Sequence, residues 1–169
     1  MDDFDSRPIV VGVDGSPASR DALRWAVDEA ARRGCAVDAV LAWDGGYDMM
    51  IGVVPADVLV QSARWRDGHA WRQVLGDAVA EVAPRGEVRT NLVTRDPGPA
   101  LVEASENAAL LVVGNRGLGS IKGALLGSVS SYCIRNSVCP VVVINDSSPP
   151  EDKAPSVGSG ALTTSVIPL

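Results

Sequence analysis

Apolar residues gather along this chain into short runs separated by stretches with a helical stride. Four runs stand out: "PIVVGVD" from Pro8, "AVDAVLAW" from Ala36, "ALLVVGN" from Ala109 and "CPVVVIN" from Cys139. Their length and β-branched content predict strands. The first, third and fourth are continuously apolar, the pattern of parallel strands covered on both faces. "EVRTNLVT" from Glu87 instead alternates Val88, Thr90 and Leu92 with polar neighbours, which predicts a fifth strand at an edge with one face in water. Between the runs, Leu23, Val27 and Ala30 recur at spacings of four and three, predicting a helix over residues 19–34 that Gly34 ends. A longer helix over 55–84 carries Trp71, Val74, Leu75, Ala78 and Val82 on one stripe. Two further helices are expected over 99–107 and 127–136. The alternation predicts an α/β fold: a single-domain, doubly wound, five-stranded parallel sheet of order 3-2-1-4-5, with right-handed crossovers and helices on both faces.

A chain of 169 residues that is 46% hydrophobic buries the core of one domain but scarcely two. We place that domain at 7–146, after an N-terminal extension at 1–6. From Ser147 onward, "SSPPEDKAPSVGSGALTTSVIPL" has no periodicity and is rich in Pro, Ser, Gly and Thr, which predicts a disordered tail over 147–169. The connection "DGGYDMMIGVV" at 44–54 reads as a surface loop, with a lid or partner contact as the alternative.

Charge narrows the ligand. A formal net charge of −6 opposes bulk attraction to nucleic acid or anionic membrane, so any anionic ligand has to be held locally. The start "MDDFDSRP" lacks a basic segment followed by an apolar one, and no apolar run approaches the roughly 20 residues of a membrane span. A cytoplasmic location is the expectation. Cys35, Cys133 and Cys139 have no metal-ligand spacing, and their odd number suits buried reduced thiols. His69, the only histidine, reads as a surface or half-buried structural residue.

In an open parallel sheet, ligands sit beyond the carboxyl ends of strands where the strand order reverses. Two segments meet there. One is "VGVDGSPAS" after the first strand. The other runs Gly114, Asn115, Arg116, Gly117, then nine residues, then Gly127, Ser128, Val129 and Ser130. Glycines admit close backbone approach, and Gly127-Ser128 opens a helix whose first N–H groups lack intrahelical acceptors. That is an anion site, which Arg116 and Lys122 supplement with positive charge.

Gly-x2-Gly-x9-Gly-Ser after an apolar strand, with "VVGVDGS" near the N-terminus and "CPVVVI" behind it, resembles the universal stress protein family in its nucleotide-binding branch. The resemblance covers about residues 7 to 146. It implies an adenine nucleotide alpha hydrolase-like fold that binds ATP, or ADP, AMP or cyclic AMP, with Mg²⁺ or Mn²⁺ held through the phosphates. It places Asp14 on the ribose hydroxyls, with Gly12 and Val13 flanking the nucleoside, and the Ala42 backbone on the adenine edge. Val113 and Gly114 would line the base and ribose side. Arg116 and Gly117 would begin the phosphate loop, which Gly127, Ser128, Val129 and Ser130 complete. Ala109 and Asn115 depart from residues common in the family, but neither removes a donor the site needs. The resemblance also implies a homodimer through the last strand, residues 140–145, which Pro140 opens and Asn145 closes.

Other readings stand beside these. Asp14 in Asp-Gly-Ser is also a turn former or helix cap, and Ser128 also a cap. Lys122 is equally a solvated loop charge. A Walker A loop fails because Gly123 follows Lys122. A dinucleotide fingerprint in "GLGSIKG" ranks third, since only a helix, a strand and a tail follow it. A slow ATP-hydrolysing enzyme is the stronger rival. From Asn107 to Asn145 there is no Asp, Glu or His, so that stretch offers neither a general base nor a carboxylate ligand, and we expect no catalytic residue.

Overall fold

Each apolar run becomes a strand, and strands alternate with helices along the described chain. The computed structural model describes residues 6–43, 68–82, 86–117 and 126–145. The connection at 44–54, the first part of the long helix at 55–67, Lys122 and the tail lie outside the described residues. The order is β1 (Ile9–Gly12), α1 (Pro17–Arg33), β2 (Val37–Trp43), α2 (Gly68–Val82), β3 (Val88–Thr94), α3 (Pro97–Ala104), β4 (Leu110–Gly114), α4 (Ser128–Asn136) and β5 (Val141–Ile144). All pairings are parallel and the sheet runs β3-β2-β1-β4-β5, as expected. At its centre, Ile9 stands opposite Val37 on one side and Leu110 on the other.

The continuous apolar character of β1 and β4 follows from burial on both faces. Side chains alternate along a strand, so Ile9, Val11 and Val112 pack with Leu23, Ala26, Leu75 and Ala78 of α1 and α2. Val10, Leu111 and Val113 pack with Leu101 of α3 and Cys133 of α4 on the opposite face. Burial pushes the Cys133 thiol up to about 11. Cys35 and Cys139 are only partly buried, so the expectation of three buried cysteines holds for Cys133 alone. His69 is exposed. At the β3 edge Val88, Leu92 and Val93 are half-buried, whereas Thr90 faces solvent. Among the described residues, no helix is long and apolar enough to cross a membrane.

Helix starts differ from the sequence reading where capping decides them. The first helix begins at Pro17 rather than Ser19, because Ser16 is the N-cap and its Oγ accepts from the Ser19 N–H at 3.2 Å. Asp14 therefore does not cap it. Gly34 ends it with φ +69°, the left-handed conformation glycine adopts freely. The third helix begins at Pro97 rather than residue 99, with the Asp96 carboxylate accepting from the Gly98 N–H at 3.2 Å. Two prolines fit its first turn because N–H groups there have no intrahelical acceptor to lose. In the fourth helix Gly127 is the cap and Ser128 the first helical residue, which overturns the reading of Ser128 as a cap.

Candidate functional site

Beyond the carboxyl ends of β1 and β4 the chain leaves toward opposite faces, to α1 from β1 and to α4 from β4. A crevice must open between them. It is a cleft of about 350 Å³, within the roughly 300–1,000 Å³ range of small-molecule sites. Gly12, Val13, Asp14, Ala42, Val113, Gly114, Arg116, Gly117, Gly127, Ser128, Val129 and Ser130 all line it. The fold thus gathers all twelve sequence-selected residues from three strands, two loops and a helix start. Ser19, Val40, Pro97 and Leu101 also line the cleft. The sequence reading missed these four because nothing local marks them: α3 brings Pro97 and Leu101 over the sheet only in the folded chain.

One half of the cleft is apolar, walled by Val40, Pro97, Leu101 and Val113. Ala42 adds a polar edge through its backbone. Successive residues of a strand turn their N–H and C=O groups to alternate sides. The Val40 carbonyl accepts from the Val13 N–H at 2.9 Å, and the Trp43 carbonyl from the Arg95 N–H at 2.8 Å. The Ala42 N–H and C=O must therefore point toward the β1 side, beyond the point where β1 has ended, and they have no backbone partner among the described residues. A donor and an acceptor side by side can read the edge of a planar base. Gly12 has a different purpose here, since a Cβ on it would meet Leu101 Cδ1 at 2.9 Å. Its missing side chain makes room for α3.

Asp14 sits where the two halves of the cleft meet. Its Oδ1 accepts from the Ser16 N–H at 2.9 Å and the Ser16 hydroxyl at 2.6 Å. The turn between them needs Gly15 at φ +86°. The turn-forming role of Asp14 is thus real, and it also aims the carboxylate across the crevice. A Cβ on Gly117 would lie 2.5 Å from Asp14 Oδ2, so the glycine gives up its side-chain space to the carboxylate.

The other half is built from helix N-termini. At α1 and α3 one first-turn donor each, the Ser19 and Gly98 N–H groups, is served by the Ser16 and Asp96 side chains. At α4 the cap is Gly127, and no side chain caps the helix. The Gly127 N–H itself donates to the Asn115 carbonyl at 2.7 Å, so the open donors start one residue later than the sequence suggested, at the N–H groups of Ser128, Val129 and Ser130. Ser128 is exposed. The Ser130 hydroxyl is not: Ser130 is 3% exposed, and its Oγ–H faces the carbonyls of Gly127 at 3.0 Å and Asn115 at 3.2 Å. Arg116 is the cation lining the cleft among the described residues, and Asp14 is the acid. No group of three or more His, Cys, Asp or Glu side chains among the described residues is arranged to hold a metal ion.

Comparison with known proteins bears on this geometry. Residues 6–145 match the sequence profile of the Universal stress protein family. A universal stress protein of Mycobacterium tuberculosis (strain ATCC 25618 / H37Rv) is 38% identical over 145 residues, covering 82% of this chain and 47% of that protein. The chain spans about half the length of the curated relatives it matches. Among solved structures, a universal stress protein in complex with cAMP is 29% identical with a TM-score of 0.56, covering 83% of this chain and 98% of the other. The universal stress protein of Archaeoglobus fulgidus in complex with dAMP is 26% identical with a TM-score of 0.58, covering 82% and 97%.

Proposed function

Because this chain belongs to the universal stress protein family, we propose that it binds ATP, or a shorter or cyclic adenine nucleotide, in the cleft. It then acts as a nucleotide-dependent binding module in a stress response. One observation carries the reading: an apolar wall with a free backbone edge at Ala42 and an uncapped helix start at α4 face one cavity from opposite ends, with Asp14 between them. The relatives solved with cAMP and dAMP support an adenine nucleotide.

In this reading the base lies between Val40, Leu101 and Val113, and the Ala42 backbone meets its polar edge. The Asp14 carboxylate accepts from the ribose hydroxyls, with Gly12 and Val13 beside the sugar and Gly114 beneath it. The phosphates lie over the Ser128, Val129 and Ser130 N–H groups, where three donors and the helix dipole favour negative charge. Arg116 and the Gly117 backbone close over them. A Mg²⁺ or Mn²⁺ ion would be held by phosphate oxygens and water, with the Ser128 hydroxyl in reach. Hydrolysis would be slow, since the carboxylate lining the cleft is the one that holds Ser16 in the turn.

The same reading includes a homodimer built on residues 140–145. In β5, Val141–Ile144 is half-buried and lies at the sheet edge. Ile134, in α4, and Val138, in the connection from α4 to β5, are 47% and 76% exposed. An apolar edge with an open row of N–H and C=O groups suits antiparallel pairing with its own copy.

The test is mass spectrometry of ligands released from protein purified without added nucleotide, followed by calorimetry with ATP, ADP, AMP, cyclic AMP and adenosine. An adenine nucleotide in the released fraction or micromolar binding is the expected result. An empty protein that binds none of the five would overturn it.

A further inference from the structure

We propose that the Ser130 side chain has a positioning role: its hydroxyl holds the phosphate-binding start of α4 in place and does not itself contact phosphate, which is left to the backbone N–H groups; this rests on the nucleotide reading above. The inference comes from where the hydroxyl proton goes. A serine has one O–H to donate, and that of Ser130 faces two backbone carbonyls, Gly127 at 3.0 Å and Asn115 at 3.2 Å, in a side chain that is 3% exposed.

The Asn115 peptide is the junction of the site. Its N–H donates to the Ile144 carbonyl at the end of β5 at 2.7 Å, and its carbonyl accepts from the Gly127 N–H, also at 2.7 Å. The two ends of the glycine-spaced loop are thereby clamped to each other and to the sheet. Ser130 adds its side chain to that clamp, and the Ser131 N–H then returns to the Gly127 carbonyl at 3.0 Å. The Ser128 and Val129 N–H groups sit between these fixed points. Their aim at a phosphate depends on Gly127 staying put, and Ser130 braces Gly127 from the side away from solvent. Of the two serines, Ser128 is the exposed one.

The test compares parent, Ser130→Ala and Ser130→Thr, first without ligand by amide hydrogen exchange and then with ATP and adenosine by calorimetry. In the ligand-free protein, Ser130→Ala should speed exchange at the Gly127 and Ser131 amides, and Ser130→Thr, which keeps the hydroxyl, should restore parental rates. ATP binding should weaken about three- to tenfold in Ser130→Ala, the loss of one neutral hydrogen bond, while adenosine binds as in the parent. Weakened ATP binding with unchanged ligand-free exchange would mean the hydroxyl contacts phosphate directly, and would overturn the proposal. So would faster exchange with unchanged ATP affinity. A parent protein that binds neither probe refutes the nucleotide reading and the phosphate role together. Failure confined to the clamp is told apart because the exchange measurement needs no ligand.

Discussion

Replacing Gly114 by alanine adds one methyl group at the most crowded point between sheet and helix. An ideal Cβ there lies 2.9 Å from both the carbonyl carbon and the Cβ of Ala18, and 3.1 Å from the Ala18 oxygen. Ordinary carbon contacts begin near 3.4 Å, so α1's first turn has to retreat by about 0.5 Å. The obstacle is helix backbone, which cannot swing aside as a flexible side chain would. Overpacking of this kind costs about 1–3 kcal/mol. For a domain of this size that corresponds to a fall in Tm of about 2–12 °C. The shift also reaches the cleft, because Ala18 is two residues from Ser16, which holds the Asp14 carboxylate. ATP affinity should therefore fall together with Tm. Differential scanning calorimetry and titration on one preparation measure both. A Gly114→Ala protein that melts within 1 °C of the parent would refute the argument that this glycine is required by α1.

Three further substitutions separate packing from binding. Gly127 has φ −74° and ψ 167°, open to any residue, and its Cβ would make only ordinary contacts of 3.5 Å or more; Gly127→Val should therefore keep the parental Tm and lose ATP binding in titration, and a folded variant that binds like the parent would remove the loop from the site. Asp14→Ala should weaken nucleotide binding about tenfold to a hundredfold, as when a charge-assisted hydrogen bond is lost, and should lower Tm because two bonds from Ser16 go with it; a lowered Tm with an unchanged dissociation constant would leave Asp14 as a turn former only. Lysine at Ile134 or Val138, both exposed, should split the homodimer in sedimentation without loss of stability, whereas Val142 packs against the core of the α1 face and a charge there would damage the fold as well; a parent already monomeric at micromolar concentration would end the dimer proposal.

Much of the fold was legible because it rests on local pattern. Valine-rich runs bounded by turn residues name strands, and continuous rather than alternating apolarity tells central strands from the β3 edge. Helix starts were legible only within a residue or two. The start of α1 depends on the Ser16 hydroxyl reaching the Ser19 N–H, and that of α4 on the Gly127 N–H reaching the Asn115 carbonyl, each a matter of ångströms. The twelve cleft-lining residues were picked out by a spaced glycine motif and its family resemblance.

Tertiary structure decided what those residues are for. The sequence contains five glycines within 112–135 and treats them alike. In the fold, Gly114 yields to Ala18, Gly117 to the Asp14 carboxylate, and Gly127 to nothing. Gly12, on another strand, yields to Leu101. Leu101 and Pro97 entered the site only because α3 crosses over β1 and β2, and the Ser130 hydroxyl turned from the cleft that its residue lines toward two backbone carbonyls. Periodicity and turn chemistry determine which segments are strands and helices because those preferences act between near neighbours in the chain. The direction of the Ser130 hydroxyl is set in part across the loop by Asn115, and the atoms that fill the places beside Gly114 and Gly117 come from Ala18 and Asp14, far away in the chain; only packing brings them together.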